Sequence, residues 1–123
     1  MKKLLGALAV LGIVAPAAVA ATGSLKVSPK SVNTGPSNPV QVTVSGSVSG
    51  CKTVTIYSNA FNTKHKYTGI PSVNTSVSKG KFKVKIPVRS KQRQTRKTYI
   101  VAGRCGSSKF ATAKLIVNYQ FYP

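Results

Sequence analysis

Val40, Val42 and Val44 alternate with Gln41, Thr43 and Ser45, the two-residue period of a half-buried strand. Phe82, Val84 and Ile86 alternate with Lys81, Lys83 and Lys85 in the same way. These two runs set the expectation for the rest of the chain. Leu25 and Val27 predict a short strand that Pro29 ends. Thr53–Ser58 predicts another, with Val54 and Ile56 inward. Ser72–Ser78 predicts a weak edge strand. Thr98–Cys105 and Lys109–Tyr119 predict a final pair joined by Gly106-Ser107-Ser108. Pro36–Pro39 and the polar stretch Asn59–Pro71 read as connections, and Arg89–Lys97 as a basic loop. No window sustains a helical period. About seven short strands with turn residues at this spacing predict an all-β, two-sheet antiparallel sandwich, with a small barrel as the alternative.

The first residues break this pattern. Lys2 and Lys3 precede an apolar run, Leu4–Ala15, that is short for a membrane span. Pro16 interrupts it, and Ala18-Val19-Ala20 has the small-x-small form of a signal peptidase site. We expect a signal peptide over 1–20, with cleavage after Ala21 as the alternative, and one domain over 21–123. Such a chain is secreted and works outside the cell or at its surface. Its two cysteines, Cys51 and Cys105, are then expected to form a disulfide. Two free thiols, or a Cys51 or Cys105 nucleophile beside His65, are the rival readings.

Charge changes the picture most. The chain of 123 residues carries 19 Lys and Arg and no Asp or Glu, a formal net charge of +19. Carboxylates are the usual general acids, general bases and hard-cation ligands. Their absence removes most hydrolytic and metal-dependent mechanisms. His65 is the single histidine, so a metal site has no partners to draw on. Ser–Lys chemistry lacks any nucleophile-elbow sequence. We expect no catalytic residues, no metal and no cofactor.

The strands Val40-Gln41-Val42-Thr43-Val44-Ser45-Gly46, the pair Gly50-Cys51, the start Gly80-Lys81-Phe82, and Thr98-Tyr99-Ile100-Val101-Ala102-Gly103-Arg104-Cys105-Gly106 together resemble short secreted immunoglobulin-like domains of Gram-positive bacteria. The resemblance covers most of the chain after the leader. It implies an immunoglobulin-like sandwich in a secreted or cell-surface setting, and it transfers no catalytic residue. In that arrangement Cys51 falls in the B–C turn and Cys105 at the end of strand F, so a bridge would tie loops at one end of the molecule. A more distant likeness is to neocarzinostatin-type sandwiches. That family has two disulfides where this chain can form one, and its ligand is not carried over.

The candidate site is the densest basic stretch: Lys79, Lys81, Lys83, Lys85, Arg89, Lys91, Arg93, Arg96 and Lys97. Alternation puts the first four on one face, with Cα atoms about 6.6–6.8 Å apart, a spacing that suits successive anions of a polymer. The arginines add bidentate contact to phosphate or sulfate. The plainer reading is a solvated face whose lysines discourage edge pairing. Tyr57, Phe61, Tyr67, Tyr119, Phe121 and Tyr122 are the aromatic residues available for stacking on bases, and Phe82 faces the core. The expected partner is an anionic polymer or surface: cell-wall polyanion, polysaccharide, nucleic acid or lipid head groups. A membrane-damaging cationic effector and a structural envelope subunit are the alternatives. The effector would need apolar residues beside its charges, and the basic stretch lacks them.

Overall fold

A computed structural model describes residues 22–35, 40–90 and 95–119. The expected leader and its cleavage site, Pro36–Pro39, Lys91, Arg93, Phe121 and Tyr122 lie outside the described residues. Nine strands follow in order: β1 Gly23–Ser28, β2 Ser31–Thr34, β3 Gln41–Val48, β4 Thr53–Tyr57, β5 Lys66–Tyr67, β6 Ile70–Ser76, β7 Lys81–Pro87, β8 Thr95–Cys105 and β9 Ser108–Tyr119. No helix occurs among the described residues. One sheet has the order β1-β3-β7, the other β2-β9-β8-β4-β6-β5.

The alternating residues face as their period requires. Val42, Val44, Ile86 and Phe82 point inward from the three-stranded sheet, with Val27 beside them. Val54, Ile56, Val101, Leu115 and Val117 come from the six-stranded sheet. The two sets form one core. Burying such apolar side chains is the main driving force, at about 1.5–3 kcal/mol each.

Several expectations change. The described residues form nine strands, and the sandwich is not purely antiparallel, because β2 runs parallel to β9 (Ser31 opposite Ile116, Thr34 opposite Tyr119). Pro29 has no N–H to extend a ladder. There the chain leaves the first sheet for the second, and the Lys30 carbonyl accepts the Ile116 N–H at 2.8 Å. The weak strand near Ser72 starts earlier than expected, at Ile70; the two-residue β5 covers only Ile70 and Pro71, so among the described residues Ser72–Ser76 has a strand partner on the β4 side alone. Phe61 is no stacking platform. It is fully buried, and its strand-like bridge to Val88 closes the end of the core. The polar connection around it is well satisfied: the Ser72 N–H donates to the His65 carbonyl at 2.8 Å and the Thr63 hydroxyl to the Ser72 carbonyl at 2.9 Å.

Cys51 and Cys105 are bridged, with Cα atoms 6.0 Å apart. The bond joins the entry to β4 with the last residue of β8, next to the pairing of Thr55 with Arg104. It locks the β4–β8 seam, on which the six-stranded sheet depends.

Candidate anion-binding faces

The predicted basic cluster does not stay together. Lys81, Lys83 and Lys85 lie on β7 and are exposed, as the alternation requires. Lys79 does not share their strand. It sits in the two-residue turn before β7 with φ 53°, followed by Gly80 with φ 77°. Both residues take the left-handed conformation that a tight hairpin turn demands, and Gly80 adopts it without steric cost. Arg96 and Lys97 are not in a loop either. They belong to β8, in the other sheet. Arg89 lies just beyond β7, its N–H donating to the Ala60 carbonyl at 2.8 Å.

β7 is the edge of its sheet, with β3 on one side. Register then builds rows across the outer face. Lys81 lies opposite Ser47, and Ser47 opposite Ser24. Lys83 lies opposite Ser45, and Ser45 opposite Lys26. Lys85 lies opposite Thr43, and Thr43 opposite Ser28. In these rows the middle strand presents only short hydroxyls, with a lysine beside each on the β7 side and Lys26 on the β1 side of Ser45. The Ser24 and Ser47 hydroxyls are 3.1 Å apart. Adjacent strands are about 4.8 Å apart, so Lys26 and Lys83 start from backbone roughly 10 Å apart across the Ser45 row. A groove of about 690 Å³ follows this face. Ser24, Lys26, Ser45, Ser47, Ser76, Ser78, Lys81 and Lys83 line it, together with Gly46 and Phe82.

Gly46 shares the core-facing side of β3 with Val44 and Val48, where there is no room for a side chain. A methyl group there would meet the Ser24 carbonyl, and would come within 2.8 Å of the Phe82 ring. With no side chain at 46, the Phe82 ring fits into the core there and meets Phe110 edge-on, ring centres 5.9 Å apart.

Arg89 and Lys97 meet elsewhere. β8 pairs with β4 only from Ala102 to Arg104, whereas β8 starts at Thr95. The gap is a notch of about 580 Å³, whose lining includes Tyr57, Ile70, Tyr99, Ile100, Arg89, Lys97 and Lys109. Beside it Tyr57 and Tyr67 pack at 4.8 Å between ring centres. Arg104 donates from Nε to the Tyr57 hydroxyl at 3.1 Å and lies 5.1 Å from the Tyr67 ring. The two tyrosines are thus engaged with each other and with an arginine. Tyr99 and Tyr119 share a buried hydroxyl–hydroxyl hydrogen bond of 2.7 Å. Burial, then the Tyr99 hydrogen bond and the Tyr99 phenol's field, push the Tyr119 phenol well above the ordinary tyrosine range, and Arg89 opposes this in part.

Lys26 and the serines of the groove carry no signal along the chain. They become visible only once β1 and β7 are known to flank β3. Comparison with known proteins adds no further guide: no family model, no curated protein and no solved structure matches the chain.

Proposed function

We propose that the chain, freed of residues 1–20, is an exported immunoglobulin-like module that binds anionic polymers through the lysine–hydroxyl groove, and that it is not an enzyme. The observation that carries this reading is the alignment of Lys26, Lys81 and Lys83 around Ser24, Ser45 and Ser47 in a chain without a side-chain carboxylate. Ammonium groups with no internal counter-charge gain most from a ligand that brings its own. The hydroxyls between them can donate to sulfate, phosphate or sugar oxygens. A strand face repeats at a spacing a linear polymer can follow.

The strand order supports the immunoglobulin-like reading. Lettered along the chain, the sheets are A-B-E and A′-G-F-C with two added strands, β6 and β5, the two-sheet division of that architecture. The disulfide is consistent with export to an oxidising compartment. Ile100 is the one large apolar residue exposed among the described residues, which favours attachment to a polymer over insertion into a lipid bilayer.

The test is an NMR titration with heparin oligosaccharide or polyphosphate. Shifts are expected along Lys26, Ser45, Ser47, Lys81 and Lys83. Shifts confined to other faces would overturn the assignment of the groove.

A further inference from the structure

The notch on the opposite sheet carries a second inference, independent of the groove. Along Thr95–Val101, β8 pairs with β9 on one side and has no strand on the other among the described residues. An edge of this length is an open template for another chain. Natural edges of this kind are shortened, bulged or blocked by charges and proline. The one irregularity in the β8–β9 ladder falls at Gly103–Arg104, past the open part. The edge is also not flat against solvent. It forms one wall of the notch, with Tyr57 and Ile70 across from it. Ile100 stands at this place 54% exposed.

We propose that this notch accepts an extended acidic peptide segment of a partner protein, which adds to the sheet as a strand beside Thr95–Val101. Main-chain hydrogen bonds to the edge supply affinity, and pockets for alternate side chains supply selectivity. Ile70, Ile100 and Tyr57 offer apolar contact to every second residue of such a strand. Arg89, Lys97 and Lys109 stand around it and call for carboxylates at the others. A second copy of this chain is a poor occupant: it brings more Lys and Arg and no carboxylate side chain to a cationic rim. A sulfated or phosphorylated polymer would satisfy the rim but leave the edge N–H and C=O groups unmatched.

The probe is a ten-residue peptide alternating Val or Thr with Glu, compared with the same peptide N-methylated on alternate amides so that it keeps charge but cannot pair. Both are titrated into the disulfide-bonded protein, with backbone hydrogen exchange as the readout. The unmodified peptide is expected to slow exchange of the notch-facing amides within Thr95–Val101 about tenfold or more, and the methylated one to bind roughly tenfold more weakly. Ile100→Asn, at an exposed position, is expected to weaken binding several-fold with an unchanged melting temperature. Lys81→Gln with Lys83→Gln and Lys85→Gln, on the other sheet, is expected to retain the same protection at Thr95–Val101. Equal binding of the two peptides would overturn the proposal, because charge alone would explain it. So would protection by heparin at the same amides, protection that rises with protein concentration without peptide, or no protection at all.

Discussion

Tyr99 and Tyr119 are polar side chains placed in an apolar core, and each makes the other tolerable through their 2.7 Å hydrogen bond. Replacing Tyr119 by Phe strands the Tyr99 hydroxyl, which should cost about 1–2 kcal/mol in denaturant unfolding. The pair also predicts a pH effect. The folded chain holds the Tyr119 proton more tightly than the unfolded chain does, chiefly because of burial. That contribution is fully present below the unfolded tyrosine value of about 10 and is lost as pH climbs beyond it toward the folded value. Melting curves of the parent should therefore fall more steeply above pH 10 than those of Tyr119→Phe. Parallel curves would show that the phenol is not linked to folding. At Gly46 the constraint is space. Gly46→Ala pushes a methyl group toward the Ser24 carbonyl and the Phe82 ring, and should cost about 1–3 kcal/mol, read as a lowered unfolding midpoint.

At the scale of strands, what could be read along the chain depended on how local each pairing is. β3 and β7 announce themselves because valines, Phe82 and Ile86 alternate with polar residues over their whole lengths. β2 has only Val32 and Thr34 to bury, and its partner β9 lies far along the chain, so nothing local marks it. β5 is two residues long and exists because the turn at Thr68–Gly69 folds Lys66–Tyr67 back onto Ile70–Pro71. The basic stretch from Lys79 to Lys97 looked like one site because its residues are neighbours in sequence. The chain crosses from one sheet to the other within that stretch, so its two ends face different ways. Lys26, by contrast, is distant in sequence and joins the groove through the register with Ser45. The disulfide was legible from the cysteine pair, and so was its place, between the turn before β4 and the last residue of β8. Its span of 54 residues implies about 4 kcal/mol of stabilisation in the chain-entropy model. A Cys51→Ser, Cys105→Ser variant should lose stability on that order in urea unfolding, and an unchanged midpoint would contradict it.

For the molecule as a whole, charge sets both stability and partners. Acid unfolding ordinarily comes from carboxylates that must be protonated, and this chain has none on its side chains. Lys and Arg keep their charge throughout acid and neutral pH. At fixed ionic strength the melting temperature should stay nearly level from pH 2 to pH 7. It should rise with added salt, which screens repulsion among the basic side chains. A steep loss below pH 4 in calorimetry would contradict this account. The central claim is that polyanion binding is local to the lysine–hydroxyl groove rather than a property of net charge. The salt dependence of heparin affinity tests this most directly, measured on two variants of equal charge. One carries Lys26→Gln, Lys81→Gln and Lys83→Gln in the groove. The other carries Lys52→Gln, Lys64→Gln and Lys114→Gln at exposed positions outside its lining. The account predicts that the slope of log affinity against log salt shrinks by about 2–3 for the groove variant and stays near the parent value for the other. Equal slopes in the two variants would contradict it.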